Sequence, residues 1–189
     1  NHTITSVNVP PNYEAIPKRF INRCNAFSGA FLPDSITSIK SHAFAYNPIL
    51  SDISLPRHLN SIGDYFLAET FVDGIIIPET INEIPNGAFA GCSVLTSLTI
   101  PNTITNIGNS AFTSTNLNTI EIPASVRSIK VSTFSSCNNL ETVILNEGLE
   151  SIESSAFSSC NNLTSVQLPN SLTSIGYSAF YNSGLTSIS

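Results

Sequence analysis

Methionine and tryptophan are absent from these 189 residues, and only three histidines, seven Lys or Arg and thirteen Asp or Glu are present. Charged residues make up 11% of the chain and aromatic residues 8%, so most polar surface must come from Ser, Thr and Asn. That balance is unusual for a compact enzyme. A net charge of −6 and a pI near 4.8 argue against nucleic acid as a partner, because binding a phosphate backbone needs clustered cations that release counterions. The densest basic group, Lys18, Arg19 and Arg23, reads as a solvated face rather than a polyanion site. Long apolar runs are missing too: Ile75-Ile76-Ile77 is three residues, far short of the eighteen or so of a membrane span, and no basic-then-apolar signal segment opens the sequence. With no Met, and Asn at position 1, the sequence is expected to begin inside a longer or processed protein.

Self-similarity is strong. Prolines that close an apolar stretch stand at Pro10, Pro33, Pro56, Pro78, Pro101, Pro123 and Pro169, with Asn146 in the one gap. The steps are 23, 23, 22, 23, 22, 23 and 23 residues, and no domain boundary interrupts them. The clearest unit is PETINEIPNGAFAGCSVLTSLTI, Pro78 to Ile100. Six residues past each anchor stand Ile16, Ile39, Ile62, Ile84, Ile107, Ile129, Ile152 and Ile175, an isoleucine in every copy. Phe44, Phe89, Phe112, Phe134, Phe157 and Phe180 fill a further column, usually after a small residue, and predict a buried phenylalanine spine.

A single 23-residue unit has too little apolar surface to offset its ordering entropy, so it must stack on its neighbours. The runs LTSLTIP (95–101), LNTIEIP (117–123), LTSVQLP (163–169) and LTSIS (185–189) alternate with period two and predict strands. Stacked in register they would form one parallel sheet containing Leu98–Ile100, Ile120–Ile122, Val143–Leu145 and Val166–Leu168. At roughly 4.8 Å per coil, about eight coils give a body on the order of 35–40 Å tall. The segments around SIGYSAFYNS (174–183) predict a turn or short helical piece. The fold class expected is therefore a repeat solenoid, α/β-type or mainly β, right-handed, with coils of 22–23 residues.

The pattern C-x-x-L-x-x-I-x-I-P-x-x-I-x-x-I-G-x-x-A-F, seen whole in CNNLTSVQLPNSLTSIGYSAF (160–180), resembles the BspA-like, or Treponema-type, leucine-rich repeat. The resemblance covers nearly the whole chain and is tightest from Pro78 to Ser189. It implies one leucine-rich repeat domain over 1–189, a fragment of a longer array that continues past Ser189. Two units depart from it: IPKRFINRCNAF (16–27) and IGDYFLAETFVDGIIIP (62–78) place Phe20 and Phe66 one residue early, so a kink or a different convex turn is expected there. The Asn ladder of longer leucine-rich types has no counterpart. Proteins of this kind are surface or secreted molecules of mucosal bacteria and protozoan parasites, which implies adhesion to host or neighbouring-cell proteins or glycans, an extracellular or cell-surface location, and a monomer.

Candidate chemistry is sparse. Cys24, Cys92, Cys137 and Cys160 each lie fourteen residues past an anchor, where other copies hold Asn47, Thr70, Thr115 and Ser183. One repeat column of this kind predicts buried, unbridged thiols in a side-chain ladder that satisfies turn backbone, and no metal site, which would want close pairs. His2, His42 and His58 have no repeated acidic partner and read as surface residues; Glu147, Glu150 and Glu153 read as a solvated acidic edge. No catalytic set converges and no glycine run could cradle a phosphate, so neither an enzyme nor a cofactor is expected. Asn1-His2-Thr3 and Asn162-Leu163-Thr164 match the glycosylation pattern, which matters only for a eukaryotic secreted protein.

The outward sheet positions remain as the candidate binding face, concave in the usual geometry: Ser6 and Asn8, Asp52 and Ser54, Gly74 and Ile76, Ser97 and Thr99, Thr119 and Glu121, Thr142 and Ile144, Ser165 and Gln167, Ser187 and Ser189. Ser97, Thr99, Thr119, Glu121, Thr142, Ile144, Ser165 and Gln167 are the expected contact residues. This face is small-featured and polar, without the Trp, Tyr or Arg anchors that dominate most interfaces, so weak multivalent contact fits better than one hot spot. The alternative is a structural spacer or scaffold that carries another domain. A spacer predicts a bland surface everywhere; a binding module predicts one face with clustered, non-repeating residues.

Overall fold

The computed structural model describes residues 3–189; Asn1 and His2, and with them the first glycosylation pattern, lie outside the described residues. Fifteen short strands and no helix occur among the described residues. In chain order the strands are β1 (Ser6–Asn8), β2 (Ala15–Ile16), β3 (Gly29–Phe31), β4 (Ser38–Ile39), β5 (Asp52–Ile53), β6 (Ser61–Ile62), β7 (Glu83–Ile84) and β8 (Asn106–Ile107). They continue as β9 (Thr119–Ile122), β10 (Ser128–Ile129), β11 (Thr142–Leu145), β12 (Ser151–Ile152), β13 (Ser165–Val166), β14 (Ser174–Ile175) and β15 (Ser187–Ile188). Every pairing is parallel and joins equivalent residues of successive coils, as Ile144 opposite Glu121 and Ser165 opposite Ser187. The solenoid is therefore mainly β.

The strands form two walls rather than one, and every coil contributes to both except those containing residues 74–77 and 97–100, which have a second-wall strand only. The first wall holds β1-β3-β5, β9-β11 and β13-β15; the second holds β2-β4-β6, β7-β8 and β10-β12-β14. The second wall is built on the invariant Ile column, whose members Ile16, Ile39, Ile84, Ile107, Ile129 and Ile152 are buried. Pro10, Pro33, Pro56, Pro123 and Pro169 follow first-wall strands, which they cannot extend because proline has no N–H to donate, and the carbonyl of every anchor proline accepts the amide three residues on, as from Ile81 to Pro78 at 3.1 Å. Where Asn146 replaces proline, its side-chain amide donates to Ile122 O at 2.9 Å and Glu121 Oε1 at 3.1 Å.

The single continuous sheet predicted for the first wall does not form. Residues 74–77 and 97–100 belong to no strand, so the Leu98–Ile100 strand is absent, and β13 stops before Leu168. The backbone N–H groups of Ile75, Ile76 and Ile77, and of Leu98, Thr99 and Ile100, make no backbone hydrogen bond.

The third side is a turn wall, the first of the two alternatives expected from sequence, with no helical piece among the described residues. Each coil has two residues with positive φ, nine and thirteen past the anchor: Arg19 and Arg23, His42 and Tyr46, Tyr65 and Glu69, Gly87 and Gly91, then Ser110 and Ser114 and their successors. Amides of one coil donate to carbonyls of the next, as His42 to Asp64 at 2.9 Å, Phe44 to Phe66 at 3.0 Å and Tyr46 to Ala68 at 2.7 Å. The second wall runs the other way, with Lys40 donating back to Ile16 O at 2.9 Å and Gly63 to Ile39 O at 2.8 Å. Left-handed backbone costs a bulky L-residue roughly 1–2 kcal/mol, and only intercoil bonding of this density makes it the only conformation available.

Between the two left-handed positions sits the phenylalanine spine. Phe89, Phe112, Phe134, Phe157 and Phe180 stack nearly parallel, with successive centroids 5.4 Å apart. The different convex turn expected near Phe20 and Phe66 does not form, since the left-handed residues of those coils keep their places. The side chains trade slots instead. Phe66 fills the small-residue position and meets Phe89 edge-on, while buried Leu67 takes the phenylalanine position. Phe20 likewise meets Phe44 edge-on at 6.1 Å.

Candidate binding face

All eight residues predicted for contact are exposed on the outer side of the first wall. The strand alternation explains this: β9 reads exposed, buried, exposed, buried, with Ile120 and Ile122 in the core and Thr119 and Glu121 outside. Register places Thr142 opposite Thr119 and Ile144 opposite Glu121. Thr142, Ile144, Ser165 and Gln167 share one hollow of about 650 Å³ with Glu147 and Ser189. Ser97, Thr99 and Thr119 share another, of about 690 Å³, with Ile76, Ile77 and Leu98.

Two features of this side escaped the sequence reading. Phe31, the outward residue of β3, is 52% exposed, so the face is not free of aromatics. Its place two residues before Pro33 matches that of Asn8 before Pro10, and the same alternation applied to GAFLP would have found it. The second is the opening around residues 74–77. Ile76 is 87% exposed and stands between the 690 Å³ hollow and one of about 500 Å³ lined by Ile53, Leu55, Arg57, Ile75 and Pro78. Nothing in the strand alternation signals that these coils separate.

The cysteine column is structural. Cys92, Cys137 and Cys160 are buried, Cys24 is half-buried, and all four are free thiols. Cys137 Sγ donates to Phe112 O at 3.1 Å, and Thr115 Oγ1 donates to the same carbonyl at 2.9 Å. Cys160 Sγ reaches Phe134 O at 3.1 Å and Cys92 Sγ reaches Leu67 O at 3.2 Å. Asn47 serves Ile21 O and Phe44 O with its amide and takes the Cys24 N–H on its oxygen. The side chain also tracks coil length: Thr70 and Thr115 stand in the 22-residue coils, Cys or Asn in the 23-residue ones, where a further turn such as Leu95 N–H to Cys92 O is inserted.

Burial pushes the Cys92 thiol up to about 11, and burial followed by the neighbouring Cys137 pushes Cys160 up to about 12; Cys137 is raised by burial as well. Because these folded-state values lie above the ordinary 9.0, the thiols stabilise the fold fully below pH 9, and that contribution is lost as pH rises toward 11 and 12. Stability measured by denaturant between pH 8 and 12 should fall, and less steeply in Cys92→Thr/Cys160→Thr. In the native protein at neutral pH a thiol reagent should label Cys24 first. Rapid labelling of all four would refute the buried column.

The acidic residues are not simply solvated. Glu147 accepts the amides of Asn170 and Ser171 in the next coil, which holds its carboxyl below the usual range. Glu150 pairs with Arg127 at 3.3 Å, and Glu153 accepts Ser128 Oγ at 3.0 Å. His58 is exposed as expected, but His42 is half-buried, and its Nδ1 is buried with no hydrogen-bond partner.

The coils, their period and their two-walled section agree with a family model described as the BspA type leucine rich repeat region, which matches six copies over residues 1–96 and 60–186. The chain belongs to the BspA-type leucine-rich repeat family. Among solved structures this BspA-type chain resembles the T. pallidum leucine-rich repeat protein, with TM-score 0.77 and 24% identity over 86% of this chain and 79% of that one. It also resembles a leucine rich cell surface protein from Faecalibacterium prausnitzii, with TM-score 0.58 and 22% identity over 92% of this chain. The present chain spans 59% of the length of the F. prausnitzii structure. No curated protein matches the sequence.

Proposed function

We propose that this BspA-type chain is part of a cell-surface or secreted adhesive module that binds proteins or glycans of host or neighbouring cells through the outer side of its first wall. The observation that carries the reading is the exposure there of Phe31, Ile76 and Ile144, apolar and non-repeating, among small polar residues. Exposed apolar side chains that line hollows, as Ile76 and Ile144 do, mark interaction surfaces more often than inert ones. A plain spacer would have no use for them. The F. prausnitzii relative is a cell surface protein, and we extend that location to this chain.

Thr99, Glu121, Ile144 and Gln167 form one outward row near the middle of the face. A single Ala at any of them is expected to weaken adhesion less than about fivefold, since most contact residues contribute under ~1 kcal/mol. Arg at Thr99, Ile144 and Gln167 together should abolish most adhesion while the thermal melt stays unchanged, because none of the three reaches the core. The assay is binding to cells or immobilised matrix protein. If the triple variant adheres like the parent, the first wall is not the binding face.

A further inference from the structure

Four of the chain's seven cations, Lys18, Arg19, Arg23 and Lys40, fall in the first two coils, and among the described residues none of the four is in a salt bridge. They gather on and beside the turn wall. There the two left-handed columns change character along the solenoid. From the fourth coil on they hold only Gly, Ser and Asn182, the small residues that this backbone suits; in the first three they hold Arg19, Arg23, His42, Tyr46, Tyr65 and Glu69. Bulky side chains at strained positions, confined to one end of a regular array, violate a local rule that the rest of the chain obeys.

These side chains lean toward the following coil and build on one another. The Arg23 guanidinium lies 5.1 Å from the centre of the Tyr46 ring, and His42 stacks on Tyr65 with centroids 5.1 Å apart. The Tyr65 ring and the Glu69 stem lie against Gly87 and Gly91, where a Cβ would collide with them, so the glycines close the patch. Arg19, Asn22, Arg23, His42 and Tyr46 enclose a hollow of about 290 Å³. Two guanidinium groups suit an oxyanion, which they hold with paired N–H donors. The hollow also offers acceptors. Asn22 spends its amide N–H on Ala45 O and His42 O, leaving Oδ1 as an acceptor, and the Tyr46 hydroxyl can accept too. A bare anion has no hydrogen to give such groups; a sugar does.

We propose that this turn-wall patch binds a sulfate or carboxylate group carried on a saccharide, at a site separate from the first wall. Arg19 and Arg23 hold the oxyanion, and Asn22 and Tyr46 take the sugar hydroxyls. The surrounding acidity of a chain with net charge −6 keeps extended polyanions such as nucleic acid away from so small a positive island. His42, held below its ordinary value by burial first and then by Arg19 and Lys18, with Asp64 opposing, reports occupancy: an anion beside it raises that value. Tyr46 and Tyr65 are the other titratable groups packed against it.

The test is calorimetric titration of the whole chain with a heparin-derived sulfated tetrasaccharide, its desulfated counterpart, a sialylated trisaccharide and sodium sulfate. The sulfated or the sialylated sugar should bind, weakening with added salt, and the His42 titration followed by NMR should move to higher pH on saturation. Arg19→Ser/Arg23→Ser installs the residues that later coils use at these two positions, so its melt should not fall, while affinity drops at least tenfold. Equal binding of the desulfated sugar, equal binding of sodium sulfate, an unmoved His42, or full affinity in the double variant would each overturn the proposal. So would failure of both acidic sugars to bind. The triple Arg variant of the first wall leaves these residues untouched, so loss of adhesion there and loss of sugar binding here can be told apart.

Discussion

Phe134→Ala is expected to destabilise the fold by about 3–5 kcal/mol, the range for removing a fully buried aromatic ring. Phe134 stacks at 5.4 Å on both Phe112 and Phe157, and the neighbouring coils cannot close over the gap because their spacing is held by the turn-wall hydrogen bonds. The stack is interrupted at its middle, so contact is lost on two sides at once. Chemical denaturation measures the loss. Phe134→Leu should recover a large part of it, since Leu67 already fills the equivalent slot. Native stability in the Ala variant would mean that the spine is not the core.

Gly108→Ala should cost about 1–3 kcal/mol, the penalty of overpacking, although it adds a single methyl group. A Cβ there would lie 2.5 Å from Asn86 N and 2.6 Å from Pro85 C, backbone atoms of the previous coil that cannot swing away. Gly63 and Gly176 meet the same obstruction from Ser41 and Ser154. All three stand seven residues past their anchors, where the other coils carry Pro17, Lys40, Pro85, Lys130 and Glu153. Lys130→Ala is therefore the control. The two variants are compared by thermal or denaturant unfolding, and equal effects would show that the close approach at Gly108 does not constrain the fold.

The outward residues of the candidate face were legible because a strand alternates with period two: Thr119, Glu121, Thr142 and Ile144 could face outward only if Ile120, Ile122 and Val143 faced inward. Phe31 obeys the same alternation, with buried Ala30 beside it. The Cys column was readable as a ladder from its exchange with Asn and Thr, although the carbonyl each side chain serves belongs to another coil and appears only when the coils stack.

By itself the sequence determined the period, the stacking and the buried columns, because these follow from which side chains recur every 22 or 23 residues and from the inability of one unit to bury them alone. Tertiary structure alone decided where first-wall strands pair and where they part, since pairing depends on how neighbouring coils approach one another, which the alternation within a single coil does not specify. It also decided the meaning of Arg19, Arg23, His42 and Tyr46. In the chain they are scattered over 28 residues with no motif; on the turn wall, identical left-handed turns one coil apart bring them around one hollow. Sequence separation says nothing of that proximity until the coil pitch converts 23 residues into a single step.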